Sequence, residues 1–461
     1  MSRAAGLQGT VEARVALAWA LLFFNILSYA RTGSVIPLPN SVGKVITQGV
    51  LPVAIFVALS VNRKAAIRPN VFMCLISLLA IETVFTAIGA EYPRGTAFRT
   101  FRFVSFVAVL WLLTPYWGRD RMILLRTHLK VLFGFVCLAF VGLPLSPHLA
   151  LVGGRFQGII WPSPSTQLAH YAAAVIGITV ILWLANMMSG RTTVVMAGIS
   201  VFALLLTHTR TALLALAGGL VVAVITWLPE SRRVRRIASI VALVLVAGYL
   251  AAASAVTTYL QRGQSADQLS SLTGRTNFWG PLLAFPRDTF EMIFGFGVSN
   301  GTFNGLPIDD NWLDSYQDQG LFGVVVCAVI LVFLLVAAFF QARSVYRSLA
   351  LFFVVYAIIA SFTEDGITNA SAYMLDVTVA ASLLVPSSLV TFRPLRAVRR
   401  RVPSPGDPPS ANVSAAAEAA IPAEITAAAE NTPAEITAAA ENTPAEIAAP
   451  AGVAGRGGEA V

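Results

Sequence analysis

Four aspartates lie within a short stretch of this chain, at Asp309, Asp310, Asp314 and Asp318. The last three are spaced i, i+4 and i+8, so a helix would present them on one face. Like charges this close repel each other, so we expect pairing with arginines or a bound cation. A carboxylate that faces a hydroxyl group is also suited to act as a general base. The alternative is a solvated acidic loop, and the stretch lacks the glycine spacing of a calcium loop.

A second group of candidates consists of basic residues on the segments predicted to lie outside the cytoplasm. Membrane proteins concentrate basic residues on the cytoplasmic side, so that tendency does not account for these. They are Arg31, Lys44, Arg94, Arg99, Arg102, Arg155, Arg210, Arg262, Arg275 and Arg287. A guanidinium holds phosphate or pyrophosphate by paired hydrogen bonds, so the set favours an anion site. Contact with lipid headgroups, or pairing with the aspartates, is the alternative for any single member. Arg287 is expected to tolerate replacement by lysine.

Metal and nucleotide chemistry find little support. Two carboxyl groups, Glu82 and Asp376, lie inside apolar runs, where they either serve function or pair with arginines near the membrane surface. The histidines are His128, His148, His170 and His208, and none has a second His or Cys at metal-ligand spacing. The sequence contains no phosphate-binding Walker loop. We therefore expect no metal and no cofactor.

The elements that must position these residues are membrane helices. The 461 residues are 56% hydrophobic and only 12% charged, with a mean hydropathy of +0.73, whereas soluble domains are nearer a quarter charged. Runs long enough to cross a bilayer recur along the chain. The predicted spans are 15–30, 45–61, 71–90, 103–117, 131–146, 167–186, 192–207, 211–228, 237–256, 321–341, 349–362 and 371–392. The sequence thus predicts an all-α polytopic membrane protein of about twelve transmembrane helices.

Most of the remaining arginines lie on alternate segments between these runs, for example Arg232, Arg233, Arg235 and Arg236. The positive-inside rule then places both termini in the cytoplasm. It also accounts for the net charge of +9 without a nucleic-acid partner, since no basic face with interleaved aromatic residues is present.

Two segments depart from this pattern. The stretch 257–320, between the ninth and tenth spans, is a large outer loop, in which Thr273 and the Asp288/Glu291 pair predict the starts of short amphipathic helices on the membrane surface. The tail 393–461 repeats an 11-residue Ala/Glu/Pro unit from Pro422, with prolines that interrupt any helix. We expect a transmembrane domain at 1–392 and a disordered cytoplasmic tail at 393–461.

Four fragments in the second half of this domain resemble the O-antigen ligase and Wzy-type polysaccharide polymerase family. The first is the run 154–158 with Arg155, and the second is the turn 209–214 with Arg210. The third is the segment 273–279, with Arg275 and Trp279, followed by the glycine turn 295–297. The fourth is the run 309–323, with Asp309, Asp310, Asn311, Trp312 and the sequence from Asp318 to Gly323. The resemblance covers roughly residues 150–345. The large outer loop and the number of spans agree with it.

This resemblance implies a GT-C-type membrane glycosyltransferase without metal or nucleotide sugar. An oligosaccharide on undecaprenyl pyrophosphate would be the donor, and an acceptor glycan hydroxyl would displace the pyrophosphate. Arg210 and Arg275 would hold the pyrophosphate, Asp309 or Asp310 would activate the acceptor, and the substrate would contact Arg99, Arg102, Arg155, Trp279, Asn311 and Trp312. Lipopolysaccharide ligases usually carry a histidine in the last fragment and this chain has none there, which favours a polymerase or a wall-glycan ligase.

The sequence therefore predicts a cell-surface polysaccharide polymerase or ligase in the bacterial cytoplasmic (inner) membrane, with its active site on the outer face. Membrane lipids, a flippase and a chain-length regulator are the expected partners. Two other functions stay open: a transporter or flippase for a lipid-linked glycan, and a non-catalytic scaffold of a surface-polysaccharide assembly complex. A transporter requires gates on both sides, whereas this chain concentrates its acidic residues and its large loop on one side.

Overall fold

The computed structural model describes residues 2–27, 35, 39–88, 93–118, 122–228, 231–261, 276–298, 301–304 and 306–386. The described part is almost entirely helical. Its helices are α1 (Ser2–Ile26), α2 (Asn40–Val61), α3 (Val71–Ile88), α4 (Pro93–Leu113), α5 (Ile123–Leu145), α6 (Pro147–Ala150), α7 (Ser165–Leu184), α8 (Gly190–Thr207), α9 (Arg210–Ile225), α10 (Arg232–Gln261), α11 (Thr276–Leu283), α12 (Thr289–Phe294), α13 (Asn311–Phe340), α14 (Val345–Ala360) and α15 (Ala372–Leu384). The predicted tail, 393–461, lies outside the described residues.

The helices match the predicted spans closely, and the chain is a multi-pass membrane protein. Eight of the described helices, α1–α5, α7, α8 and α13, are long and apolar enough to cross a membrane. Three shorter apolar helices, α9, α14 and α15, overlap the eighth, eleventh and twelfth predicted spans. The ninth predicted span falls within α10, which is 30 residues long. The exact count of twelve and the cytoplasmic location of both termini stay predictions.

Helix α7 lies at the centre of the bundle, since 83% of its apolar segment is buried, compared with 28% in α2 and in α8. Small residues allow its neighbours to pack closely. A Cβ atom at Gly177 of α7 would lie 1.9 Å from the ring of Phe352 on α14, and one at Gly219 of α9 would lie 2.9 Å from the same ring. The Phe352 ring therefore fills a space that only glycine leaves open between these helices.

The described part of the outer loop forms α11, α12 and a short hairpin of β3 (Thr302–Phe303) and β4 (Leu306–Pro307). The predicted capping box is confirmed: the Asp288 carboxylate accepts from the Glu291 N–H, and the Glu291 carboxylate accepts from the Asp288 N–H. Thr273, the other predicted cap, lies outside the described residues. The buried Leu282 packs α11 against Phe303 and Ile308.

Helix α13 begins ten residues before the predicted tenth span and therefore contains two of the four clustered aspartates, Asp314 and Asp318. Its path breaks at Gly320, where φ is 62° and ψ is −160°. A Cβ atom there would lie 2.4 Å from the backbone of Ile293, and one at Gly295 would lie 2.5 Å from the backbone of Asp318. The two glycines therefore bring the loop and the helix into direct backbone contact.

Backbone hydrogen bonds hold this junction. The carbonyl groups of Gln317 and Asp318 accept from the N–H groups of Phe296 and Gly297, each at 3.0 Å. Two fragments that the sequence analysis treated separately, the glycine turn 295–297 and the run ending at Gly320, thus fix one another. The backbone of Asp318 is held at a defined position as a result.

Candidate functional site

A cavity of about 470 Å³ opens at one end of the bundle, where the ends of α1, α2, α4, α13 and α15 meet. This volume lies in the range of small-molecule binding sites. Its charged lining residues are Lys44, Arg99, Arg102, Asp314, Asp318 and Asp365. The cations come from α2 and α4, and the carboxylates come from α13 and from the loop 361–371. The cavity therefore has a basic wall and an acidic wall.

On the basic wall, Arg102 is fixed by the end of α1. Its Nε donates to Asn25 Oδ1 at 3.1 Å, and its second guanidinium nitrogen donates to the Asn25 carbonyl at 2.7 Å. Asn25 in turn donates to the carbonyl of Thr47 on α2 at 2.9 Å. Arg99, one helical turn earlier, is half-buried and reaches the Val298 carbonyl of the outer loop at 3.4 Å. The predicted pair Arg99 and Arg102 thus shares one site.

On the acidic wall, two carboxylates converge on Gly301. A Cβ atom at this glycine would lie 3.2 Å from Asp314 Oδ1 and 3.7 Å from Asp365 Oδ2. Gly301 itself has φ +62°, so a side chain there would be both strained and in contact with the two acids. Asp318 lies one helical turn beyond Asp314 and interacts electrostatically with Arg99. Of the three aspartates predicted to share one helical face, Asp314 and Asp318 both line the cavity, whereas Asp310 precedes the helix as its N-cap and does not line it.

The loop 361–371 is attached to the start of α13 by a fully buried asparagine. Asn311 Oδ1 accepts from the N–H groups of Gly366 and Ile367, at 3.2 and 2.8 Å. The Asn311 N–H donates to the Ser361 carbonyl at 2.9 Å. Further along, Gln319 donates to the carbonyl of Thr368. These bonds hold Asp365 opposite Asp314.

Two of the predicted catalytic and binding residues lie at the same helix start. Asp310 is the N-cap of α13: its Oδ1 accepts from the N–H groups of Trp312 and Leu313, each at 2.9 Å. Trp312 donates from Nε1 to Ser361 Oγ at 3.1 Å. Asp309 is half-buried and interacts electrostatically with Asp365. None of Asp309, Asp310 and Trp312 is a lining residue of the cavity.

The structure gives less information about the predicted arginines of the first three fragments, Arg155, Arg210 and Arg275. Arg155 donates to the Thr207 carbonyl and to Thr209 Oγ1, both at 3.2 Å, and so braces the turn before α9. Arg210 is the first residue of that helix. The next residue, Thr211, is hydrogen-bonded to Thr363 at 2.8 Å, so this turn contacts the loop that carries Asp365. Arg275 lies outside the described residues.

Two residues of the outer loop also received predictions. Trp279 lies half-buried on α11. Arg287, which is predicted from the sequence to tolerate lysine, has contacts that argue against this: its guanidinium donates to the Tyr316 carbonyl and to Gln317 Oε1, at 3.0 and 2.7 Å. It also stacks on the rings of Tyr316 and Phe296. Lysine lacks the planar fork that makes these contacts together.

The two membrane carboxyl groups have different surroundings, and neither is paired with an arginine among the described residues. Glu82 is buried, and within the described part of the chain its carboxyl oxygens lack hydrogen-bond partners. Asp376 lies between two histidines: its Oδ1 is 2.7 Å from His128 Nε2 and its Oδ2 is 3.2 Å from His170 Nε2. The second contact lacks hydrogen-bond alignment. We call these three residues the His–Asp–His cluster.

Sequence analysis missed Asp365 altogether and treated Lys44 only as one of many outer cations. Asp365 stands in a short loop with no sequence motif around it. Its place in the predicted topology could have indicated it, because Glu364 and Asp365 are adjacent acidic residues on a short outer loop between two predicted spans. Burial raises the pKa of Asp365, and the nearby charge of Asp309 raises it further.

Comparison with known proteins gives one match. Residues 193–322 match a family model described as O-antigen ligase. No curated protein matches the chain. The matched region contains α8–α12 and the first turns of α13, with Asp314 and Asp318, whereas Lys44, Arg99, Arg102 and Asp365 lie outside it. The match confirms the family resemblance for the region of the second, third and fourth fragments, whereas the first fragment, 154–158, lies outside it.

Proposed function

We propose that this chain, of which residues 193–322 match an O-antigen ligase family model, transfers glycosyl groups in the cavity, at the outer face of the bacterial inner membrane. The donor is an oligosaccharide on undecaprenyl pyrophosphate, and the acceptor is a glycan hydroxyl. The observation that carries the proposal is the pairing of a basic and an acidic wall in one cavity.

The basic wall suits the donor. Lys44, Arg99 and Arg102 line one side of the cavity, and the proposal places the pyrophosphate of the membrane-anchored lipid against them. Guanidinium groups bind the oxygens of pyrophosphate by paired hydrogen bonds and stabilise the charge that develops as the pyrophosphate leaves. Arg210 and Arg275 belong to the same proposal as further pyrophosphate ligands, and the contact of Thr211 with Thr363 supports a position for Arg210 beside the acidic wall.

The acidic wall suits the acceptor. Carboxylates accept hydrogen bonds from sugar hydroxyls, and one of them can remove the proton as the hydroxyl oxygen attacks the anomeric carbon of the donor. The bond between that carbon and the pyrophosphate oxygen breaks, and its electron pair leaves with the lipid pyrophosphate. Attack from the side opposite the leaving group inverts the anomeric configuration. No metal is required, because the basic wall carries the compensating charge.

Reconstitution tests the proposal. The full-length protein is placed in liposomes with lipid-linked oligosaccharide extracted from the cells that produce it, and products are separated by size. We expect longer lipid-linked chains for a polymerase, or transfer to an added acceptor glycan for a ligase. In both cases undecaprenyl pyrophosphate should be released in proportion to the glycosidic bonds formed.

The alternatives give different results in the same liposomes. A flippase would move lipid-linked oligosaccharide between leaflets and leave its length unchanged. A scaffold would do neither, and its loss would abolish polymer only in cells that contain the partner enzymes. Leaflet exchange without release of undecaprenyl pyrophosphate would therefore contradict the proposed transfer. The proposed partners in the cell are a flippase, which would supply the donor, and a chain-length regulator, which would limit the length of the product.

A further inference from the structure

The acidic wall contains three carboxylates, and their surroundings distinguish them. Asp318 faces Arg99, so its charge has a cationic partner. Asp314 is only 2% exposed, and its Oδ1 has no hydrogen-bond partner among the described residues. Asp365 is half-buried on the loop 361–371 and faces Asp314 across Gly301. The acidic pair Asp314 and Asp365 is thus available for a bound hydroxyl group.

Resting on the proposed function, we propose that Asp365 is the catalytic base, with Asp314 as the partner that orients the acceptor hydroxyl. Asp365 removes the hydroxyl proton while the oxygen forms its bond to the anomeric carbon of the donor. The bond from that carbon to the pyrophosphate breaks with its electron pair. The proton then passes from Asp365 to water in the cavity.

Three observations favour Asp365 for this step. It lines the cavity, as a base must in order to reach the substrate. Burial and the charge of Asp309 raise its pKa, which makes its carboxylate a better proton acceptor. The loop that carries it is fixed by Asn311 and Gln319, so its position is defined before substrate binds.

The charged groups around Asp365 come from three of the helices that border the cavity and from its own loop. They are Asp309, Asp314 and Asp318 at or before α13, Arg99 and Arg102 on α4, Lys44 on α2, and the adjacent Glu364. A carboxylate base must be ionised to act, so the rate should fall as the pH decreases through the raised pKa of Asp365. The acidic limb of the rate–pH profile should therefore lie above the ordinary range of aspartate.

The experiment compares Asp365→Asn and Asp365→Glu with Asp288→Asn. The control replaces the exposed cap of α12 by a residue that caps equally well. Each full-length variant is reconstituted with extracted lipid-linked oligosaccharide, and both the rate and the amount of folded protein are measured. We expect Asp365→Asn to lose about 10²–10⁴-fold in rate, as for loss of a general base. The control should keep the wild-type rate.

A second measurement covers the case in which Asp365→Asn does not fold. Asp365→Glu keeps the carboxyl group and changes its position, so its rate–pH profile should differ from that of the wild type. A folded Asp365→Asn variant with wild-type rate, or an Asp365→Glu variant with an unchanged profile and rate, would overturn the assignment. Either result would leave the proposed transfer intact if the wild type still releases undecaprenyl pyrophosphate. Failure of the wild type to release it would instead contradict the proposed function.

Discussion

Buried carboxylates occur in two regions of this molecule, with opposite surroundings. In the His–Asp–His cluster, Asp376 is 1% exposed and both of its oxygens face histidine nitrogens, inside a cage of aromatic rings that includes Phe23 and Tyr373. In the cavity, Asp314 and Asp365 face each other and open space. The first arrangement supplies the charge with partners from the protein, whereas the second leaves room for partners from a substrate.

The difference teaches how to separate a structural acid from a functional one in a membrane domain. A buried charge with its partners in place holds helices together, and here His128, His170 and Asp376 join α5, α7 and α15. A group of acids that repel each other costs stability and is retained where binding or catalysis requires it. Substitutions in the two regions should therefore affect different measurements.

The largest effect is expected at the cluster. Asp376→Ala leaves two buried histidines without their carboxylate, and breaking a buried pair in this way costs about 3–5 kcal/mol. Thermal unfolding in detergent micelles should show a large fall in the transition temperature, while Asp314→Ala should change it little. Replacing all three cluster residues by leucine should recover much of the loss, because no buried polar group is then left unpaired. Equal destabilisation by Asp376→Ala and Asp314→Ala would remove the distinction.

The next effect concerns rate rather than stability. Arg99→Gln should lower glycosyl transfer by on the order of 10²–10³-fold, since it removes a charged donor to the leaving pyrophosphate. The matched control is Arg94→Gln, because Arg94 is exposed on the same helix and does not line the cavity. Arg99→Lys should recover little, as an ammonium group lacks the planar fork. Similar rates for the Arg94 and Arg99 variants would mean that both only meet lipid headgroups.

A smaller effect is expected at Asp309, which interacts with Asp365 without lining the cavity. Asp309→Asn removes a negative charge near Asp365, which favours the ionised form and lowers the pKa of Asp365. The acidic limb of the rate–pH profile should move to lower pH, with the maximum rate retained. A loss of the maximum rate itself would instead identify Asp309 as the base.

The smallest effect is expected at Asp310. Asparagine caps helices as well as aspartate does, so Asp310→Asn should change the free energy of unfolding by less than about 0.5 kcal/mol. Its transfer rate should stay near that of the wild type, whereas Asp310→Ala should cost about 1 kcal/mol through loss of the cap. The amount of long polymer on a gel measures the transfer, and the unfolding temperature measures the stability. A rate loss of about 10²-fold in Asp310→Asn would return the catalytic role to this residue.

Local signals in the sequence predicted much of this fold. Apolar runs located the helices, and the Asp288/Glu291 pair located the start of α12 because both partners of a capping box lie within one turn. Part of each cavity wall was also visible in the sequence, Arg99 with Arg102 on the basic wall and Asp314 with Asp318 on the acidic wall. These features depend on neighbouring residues, so one sequence is enough to find them.

The remaining features depend on contacts between distant parts of the chain. His128 and Asp376 are 248 positions apart, and each alone reads as an isolated polar residue in an apolar run. Gly295 and Gly320 require each other only because two backbones meet there. Asp365 becomes a candidate only when Asn311 brings its loop to α13. No spacing rule connects such residues before the bundle is assembled.

The cavity draws its lining from Asn25 near the beginning of the chain to Ala370 just before the last described helix. A growing chain emerges from the ribosome in order, so the basic wall enters the membrane long before Asp365 is synthesised. A partly made protein would therefore hold the cations of the basic wall without a complete acidic wall. Under the proposed function, such a protein could not consume the lipid carrier until the whole bundle had been inserted.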